Sequence, residues 1–278
     1  MFIAPAYLLF IGLVLVPVFA AVSLAFFRTD YITFQWVGLS NFEALANSTS
    51  FQSAVANTLF YVGVGVPVTV TVSLLVALLV QPLGPKAQSF FRGTFYLPAV
   101  AGSVVLAVVW TWILNPAFGL LNWIVEQFGV DPLPWLADAA TARWAVLLVL
   151  LTHTVGQPII VFLAGLASIP AELHDAARVD GAGPFQRAWH VTFPLLRPVI
   201  LFVVAITTIG VFQIWETIYM LTAGGPGDAS TSIVYELYET AFLTSNYGLA
   251  SAMGVVLLTI VVAITFLQLH FWDVSYLE

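Results

Sequence analysis

Cysteine and charge are what this sequence lacks, and each shortage excludes a class of protein. There is no cysteine among the 278 residues, which rules out a disulfide framework and a thiolate metal site. Charged residues make up 8% and apolar residues 61%, a balance that a soluble domain of this length does not need for its core. Most of the chain is therefore expected to lie in lipid.

The sequence also lacks common signatures of an enzyme that works alone. It has no Gly-x-x-x-x-Gly-Lys-Ser/Thr phosphate loop, so it is not expected to bind ATP by that mechanism. Its four histidines fall in different segments and form no His-Glu-x-x-His metal motif: His153, His174, His190 and His270. We predict no catalytic residue, metal or cofactor in this chain, and no nucleic-acid partner.

What the sequence does contain is a series of six long apolar windows. Each has almost no charge and is close to the roughly 20 residues that a helix needs to cross about 30 Å of hydrocarbon. The predicted spans cover residues 6–27, 59–80, 95–114, 144–168, 199–219 and 249–271. We expect the first to be a retained helix and not a signal peptide, because no basic residue precedes it and its apolar run continues to Phe27.

Lys and Arg are unequally divided between the two sets of loops that six spans create. One set holds five of them, Lys86, Arg92, Arg178, Arg187 and Arg197, and the other holds two, Arg28 and Arg143. The positive-inside rule makes the first set cytoplasmic, which also places both termini in the cytoplasm. The whole net charge of −7 then lies on the outer face, which should discourage anionic substrates.

The longest predicted cytoplasmic loop, residues 169–198, joins the fourth and fifth spans. Pro170 suits the first turn of a helix, and Glu172 and Asp175 place negative charge near the positive end of its dipole. Gly181 supplies the left-handed residue that ends a helix. The pattern predicts one short, polar helix in this loop.

Small side chains on that predicted helix suit a contact with another protein. Ala176 and Ala177 would let a partner's groove approach the backbone closely. Beyond the turn, Phe185 and Trp189 stand four residues apart, which predicts a second short helix lying on the lipid headgroups. An interfacial helix with no partner explains the spacing about equally well, so the residues alone leave docking open.

The same loop resembles a known family. Its pattern is similar to the EAA…DGA…P…P loop of permease subunits in bacterial binding-protein-dependent, ATP-driven importers, through Glu172, Ala176, Ala177, Asp180, Gly181 and Ala182, followed by Pro194 and Pro198. Asp175 departs from that pattern, because the family usually has glutamate there. Three further stretches resemble the carbohydrate-uptake branch of maltose and glycerol-phosphate permeases: VGLSNF at 37–42, YLP at 96–98 and TAGGP at 222–226.

The resemblance implies an all-α fold and a set of partners. Residues 1–278 would form a single polytopic permease domain of the bacterial inner membrane, with six transmembrane helices and a cytoplasmic coupling helix between spans 4 and 5. The partners would be a second permease subunit, two ATP-binding cassette subunits carrying ATP and magnesium, and an external solute-binding protein. Closure of the ATP sites would pull on the coupling helix and rock the spans between inward-open and outward-open states.

The resemblance also implies two contact sites. The ATPase contact would use Glu172, Asp175, Ala176, Ala177, Asp180, Gly181 and Ala182. The contact with the binding protein would use Gly224, Gly225 and Pro226, in the glycine-rich outer loop after the fifth span.

Polar side chains inside the predicted spans are candidates for a substrate pathway, because leaving them in lipid costs free energy. The candidates are His153 and Gln157 on the fourth span, and Gln213, Trp215 and Glu216 on the fifth. Hydrogen-bonding groups beside an aromatic ring would suit the hydroxyls and apolar faces of a neutral sugar. Hydrogen bonds between helices would explain the presence of Gln157 and Gln213 in the spans about as well as a substrate pathway would.

Two other functions compete with an importer subunit. An ion-coupled transporter or channel working alone would need an ionisable group near mid-membrane. Glu216 is instead expected near the outer end of its span, where contact with water would account for an acidic side chain. A membrane-embedded enzyme, for example one acting on lipid, has no metal motif to support it.

Overall fold

The computed structural model describes residues 3–271, and most of them are helical. The helices are α1 (Ala4–Leu24), α2 (Ser40–Asn47), α3 (Thr49–Val80), α4 (Pro85–Ala101), α5 (Ser103–Ile113), α6 (Leu120–Glu126), α7 (Ala139–Thr154), α8 (Gly156–Ala167), α9 (Ala171–Val179), α10 (Pro184–Phe212), α11 (Glu216–Leu221), α12 (Ile233–Tyr238) and α13 (Tyr247–Phe271). A π-type turn, Glu239–Leu243, continues α12. The strands β1 (Phe27–Thr29) and β2 (Phe34–Trp36) form an antiparallel hairpin.

The membrane-spanning character of the fold follows from helix length and composition. Four helices, α1, α3, α10 and α13, are long and apolar enough to cross a bilayer. The bent pairs α4–α5 and α7–α8 would bring the number to six if each pair forms one span. The predicted helical membrane fold is confirmed, and the count of six spans stays a prediction. The predicted cytoplasmic location of the termini concerns chain ends that lie outside the described residues.

The third predicted span, 95–114, is not one straight helix. It belongs to α4 and α5, which meet at Gly102 and are bent by 97°. Gly102 has a φ of +82°, a left-handed conformation that glycine adopts without steric cost and that stops the helix. An apolar window predicts burial in lipid but carries no information on such a turn.

The fourth span bends more gently, by 42° between α7 and α8. Pro158 lacks the N–H that would bond to the carbonyl of Thr154 one turn earlier, which weakens the helix there. Two buried hydroxyls of α3 pack at the break: the Ser73 hydroxyl donates to the Val155 carbonyl over 3.0 Å, and Thr69 lies 3.2 Å from the Thr154 hydroxyl. These contacts with α3 stabilise the break between α7 and α8.

The fifth span departs most from the prediction. The helix that was expected to start at residue 199 begins at Pro184, and it ends at Phe212, short of the predicted boundary at 219. The separate headgroup helix predicted around Phe185 and Trp189 is wrong, because both residues lie in the first turns of α10. A π-type turn, Ala188–Thr192, ends two residues before Pro194, and such wider turns let a helix continue where the proline lacks its N–H.

The core lies around α3, which packs against α7, α8, α10 and α12. The largest fully buried side chains are Tyr61, Phe162 and Phe212, from α3, α8 and α10. The predicted second span began at residue 59, whereas α3 already begins at Thr49, where the Ser48 hydroxyl accepts a hydrogen bond from the Phe51 amide over 3.2 Å. This N-cap lets the helix extend beyond the apolar window.

Asn41 holds the β1–β2 hairpin against α2, and its removal provides a stability test. It is 6% exposed, and its amide donates to the carbonyls of Ala25 over 2.8 Å and Phe27 over 2.9 Å. We expect Asn41→Leu to lower the free energy of unfolding by about 1–3 kcal/mol, because buried carbonyls lose their donor. The melting temperature of the detergent-purified protein measures this effect.

Asn47 provides the matched control for this substitution. Its amide donates to the Glu43 carbonyl over 2.9 Å in an exposed setting, where water can replace it. Asn47→Leu should leave the melting temperature close to that of the unaltered protein. Equal melting temperatures for the two variants would show that the buried hydrogen bonds of Asn41 do not stabilise the hairpin.

Candidate transport cavity and docking loop

The two bent pairs, together with α10 and α11, surround a cavity of about 720 Å³. All five residues predicted for the substrate pathway line it: His153, Gln157, Gln213, Trp215 and Glu216. The structure thus brings together side chains from two predicted spans that the sequence could only place separately. That they contact a substrate stays a prediction.

Breaks in two helical segments position these side chains. His153 and Gln157 lie on either side of the α7–α8 break, and Gln213 and Trp215 belong to the short non-helical link between α10 and α11. The Ser232 hydroxyl donates to the Ile214 carbonyl over 2.6 Å, which satisfies a backbone acceptor that the link leaves free. Interrupted helices with exposed polar groups are a common way to build binding sites inside membranes.

A direct contact joins the N-terminal ends of α5 and α11 beside the cavity. The Ser103 hydroxyl donates to a carboxylate oxygen of Glu216. Ser103 can reach Glu216 because the turn at Gly102 starts a new helix there. Glu216 was expected to be a solvated acid near the outer end of its span, and it is instead half-buried and lines the cavity.

Several cavity residues were missed by the sequence analysis. They are Tyr96 and Ser103 from α4 and α5, Thr154 from α7, and Phe202 and Thr207 from α10. Serine and threonine hydroxyls can bond to their own helix backbone, as Thr154 does to the Leu150 carbonyl at 2.9 Å, so they carry little signal inside a span. A glycine followed by a serine in the middle of an apolar window was the available signal for Ser103.

The ionisable groups of the cavity give it a negative bias. Among the described residues that line it, Glu216 is the only carboxylate and His153 the only imidazole, and neither lysine nor arginine is present. Hydroxyl and amide groups supply the other hydrogen-bonding partners. This wall can bind hydroxyl-rich, uncharged molecules and repels anions.

The docking loop, residues 169–198, contains the predicted polar helix. It is α9, and Gly181 adopts the left-handed conformation expected at its end, with a φ of +79°. The amide of Gly181 donates to the Arg178 carbonyl over 3.0 Å, and the amide of Ala182 donates to the Ala177 carbonyl over 2.9 Å. These bonds close the helix and turn the chain toward α10.

The predicted ATPase contact residues lie in two places on this loop. Glu172, Asp175 and Ala176 are exposed on α9, and Arg178 forms an exposed ion pair with Asp175 at 3.1 Å. The others, Ala177, Asp180, Gly181 and Ala182, line a hollow of about 340 Å³ together with the start of α10. Val179, which the sequence analysis did not single out, is an apolar side chain that is 88% exposed beside them.

The glycine-rich outer loop is more tightly packed than its composition suggests. Gly224 is buried with a φ of +77°, and a Cβ there would meet the Tyr235 ring at 2.8 Å, so packing already requires glycine. Gly225 and Pro226 are half-buried. The loop is tied to α3 by Asn57, whose amide donates to the Asp228 carbonyl over 2.9 Å. A contact of this loop with a binding protein stays a prediction.

Beside that loop, α12 is joined to α3 through a half-buried acid, Glu236. The Ser50 hydroxyl donates to a carboxylate oxygen of Glu236 over 3.0 Å. Burial raises the pKa of Glu236, and the Ser50 hydrogen bond acts in the opposite direction. This bond helps to hold the connection between the last two long helices, α10 and α13, against α3.

The fold and the site together define a membrane transport subunit: apolar helices, interrupted around a polar cavity, with a polar helix in the loop that leads to α10. Residues 37–271 match the family described as the binding-protein-dependent transport system inner membrane component. The chain belongs to that family, and the resemblance inferred from the docking loop is confirmed. It is the permease subunit of a transport system in the inner membrane, which disfavours a solitary transporter or a membrane enzyme.

Relatives along nearly the whole chain support this assignment. The chain is 35% identical over 277 residues to the probable ABC transporter permease protein YurN of Bacillus subtilis strain 168, covering 98% of this chain and 94% of that one. It is 31% identical to the trehalose/maltose transport system permease protein MalF of Thermococcus litoralis, over 84% of this chain and 79% of the relative.

A solved structure shares the fold. It is a bacterial ABC transporter involved in the import of the acidic polysaccharide alginate, and the superposition gives a TM-score of 0.85 at 23% identity, covering 99% of this chain and 94% of that chain. The same fold, with a TM-score of 0.85 at 24% identity, occurs in the bacterial alginate transporter in complex with its alginate pentasaccharide-bound periplasmic protein.

Proposed function

We propose that this chain is a membrane subunit of an ATP-driven importer of neutral saccharides and forms half of the translocation pathway. Family membership supports the importer, and the names of relatives support the substrate class: one is the arabinooligosaccharides transport system permease protein AraP of Bacillus subtilis, 31% identical over 271 residues. The observation that carries the proposal is the cavity, because its amide, imidazole and indole groups suit hydroxyls and apolar sugar faces.

Charge favours a neutral substrate over an acidic one. The alginate transporter shares this fold and is involved in the import of an acidic polysaccharide. In this chain the described cavity lining contributes Glu216 and no cation, and a uronate held about 4 Å from that carboxylate would meet a repulsion of roughly 1–4 kcal/mol. This half of the pathway therefore suits uncharged sugars.

The energy for uptake comes, in this proposal, from two ATP-binding cassette subunits that hold ATP and magnesium and dock on α9. The exposed face of α9 combines the Asp175–Arg178 pair with the apolar side chains of Leu173, 43% exposed, and Val179, 88% exposed. This mixture of charged and apolar side chains suits burial in the groove of a partner protein better than exposure to water. A second permease subunit, an external binding protein and cytoplasmic termini complete the arrangement.

The proposed function is tested by reconstituting the complete complex in liposomes with its binding protein. ATP-dependent uptake of labelled neutral saccharides should occur, with little uptake of uronate-containing ones. ATP-independent uptake driven by an ion gradient, or uptake that prefers acidic saccharides, would contradict the proposal.

Glu216 is expected to set the preference against acidic sugars. Glu216→Gln keeps the size of the side chain and removes its charge, so a uronate-containing saccharide should compete with neutral uptake about tenfold better than in the unaltered complex. Glu126→Gln makes the same charge change on an exposed part of α6 and should have no effect. Competition uptake assays measure both, and equal selectivity in the two variants would exclude this role for Glu216.

A further inference from the structure

A continuous series of aromatic rings leads from the outer hairpin to the cavity. The ring of Tyr31 lies 4.3 Å from that of Tyr247, and Tyr247 lies 6.5 Å from Phe242. Phe242 lies 5.5 Å from Tyr238, and Tyr238 stacks on Trp215 at 5.0 Å. All are distances between ring centroids, and they are close to or within the separations of about 4.5–7 Å at which aromatic rings interact.

These five rings, the aromatic track, come from distant parts of the sequence. Tyr31 lies in the turn of the β1–β2 hairpin, Tyr238 and Phe242 lie on α12 and its π-type continuation, and Tyr247 starts α13. Trp215, at the inner end, is itself part of the cavity wall. The track therefore connects an exposed surface with the cavity proposed for the substrate.

We propose that the aromatic track guides a linear oligosaccharide into the cavity, so that the substrate is a chain of several sugar units and not a monosaccharide. The inference rests on the proposed function and adds the length of the substrate to it. Sugar rings have apolar C–H faces that pack on aromatic rings, while their hydroxyls stay in water. A row of such platforms can hold successive units of one chain.

The exposure and chemistry of the track agree with this role. Tyr31 is 58% exposed and Phe242 is 65% exposed, so both present ring surface that the described residues leave uncovered. The tyrosines add hydroxyls that can bond to sugar oxygens at the edge of each ring. The contact of one sugar unit with one ring is individually weak, which allows a bound chain to advance without being trapped.

Tyrosines and tryptophans also collect at membrane surfaces, where they anchor a helix among the lipid headgroups. Such a belt contacts lipid whatever the substrate, so its loss would affect short and long saccharides alike. A track contacts the units that extend beyond the cavity, so its loss would affect long saccharides alone. Substrate length therefore separates the two roles.

The experiment uses the complete complex in liposomes with its binding protein. The probes are labelled malto-, xylo- and arabino-oligosaccharides, from the monosaccharide to the hexasaccharide. In Phe242→Ala and Tyr31→Ala, uptake of tetrasaccharides and longer chains should fall about threefold to tenfold, with uptake of mono- and disaccharides unchanged. Phe34→Ala is the matched control, because Phe34 is 57% exposed on the same hairpin and lies outside the track, and it should change nothing at any length.

Three outcomes would overturn the inference: equal losses at every length, no loss in the track variants, or a similar loss in Phe34→Ala. An unaltered complex that carries only mono- and disaccharides would also overturn it while leaving the proposed function standing. An unaltered complex that takes up no saccharide at all would remove the proposed function as well.

Discussion

Gly181→Val is expected to separate ATP hydrolysis from uptake while the chain still enters the membrane. Gly181 has a φ of +79°, and a β-branched residue forced into that region costs roughly 1–3 kcal/mol. No atom of the described residues lies within 4 Å of the position its Cβ would take, so the strain comes from the backbone alone. The chain would relieve the strain by leaving the left-handed conformation, and α9 would then point away from its direction toward α10.

The measurement compares two activities of the reconstituted complex. ATP hydrolysis should persist, whereas saccharide uptake for each ATP hydrolysed should fall by about tenfold, which corresponds to about 1.4 kcal/mol and lies within the range of the strain energy. Two controls isolate the cause. Gly181→Asn should retain most of the coupling, because asparagine tolerates the left-handed region better than other side chains.

The second control is Gly183→Val, in the same loop. Gly183 has an extended backbone, with φ at −67° and ψ at 169°, and the nearest atom to its added Cβ is 3.8 Å away, so valine fits there. Coupling should be preserved. If Gly183→Val were as damaging as Gly181→Val, bulk in the docking loop and not backbone conformation would explain the loss.

Gly156→Ala is expected to abolish transport by separating two walls of the cavity. Gly156 starts α8, and a Cβ on it would overlap the carbonyl oxygen of Phe95 on α4. A carbonyl in a helix cannot move aside as a flexible side chain can, so α4 and α8 must shift apart. The neighbouring residues Tyr96 and Gln157 line the cavity, and even a small displacement would disturb it.

We expect Gly156→Ala to lower the stability of the protein by about 1–3 kcal/mol, as overpacking does, and to reduce uptake to near background. Melting temperature in detergent and uptake by the reconstituted complex measure the two effects. Gly63→Ala is the control, because Gly63 lies on α3 with nothing within 4 Å of an added Cβ among the described residues. Wild-type behaviour of Gly156→Ala would mean that α4 and α8 do not need their close approach.

Local signals in the sequence were enough to predict some of these features. α9 and its glycine end were predicted within a residue or two, because a proline start, acids in the first turn and a left-handed terminator act over only a few positions. The cavity residues Gln157 and Gln213 were predicted because polar groups inside an apolar span need a partner.

Other features depend on contacts that a linear pattern does not contain. The bend at Gly102 is fixed partly by the contact between Ser103 and Glu216, which are far apart in the chain. Tyr31 and Tyr247 meet only after the outer hairpin packs on α13. The span predicted from residue 199 begins earlier, because the π-type turn before Pro194 lets one helix continue through Pro194 and Pro198.

That unbroken helix, α10, reaches from the docking loop to the cavity. It contains 29 residues, which at a rise of 1.5 Å each is about 40 Å of continuous helical backbone, and it ends at the residue before Gln213. A continuous helix can transmit an axial displacement between its ends without a relay of side-chain rearrangements. If ATPases dock on α9 as proposed, their movement would reach the cavity wall proposed to face the saccharide through this one helix, and the two events would share one timescale.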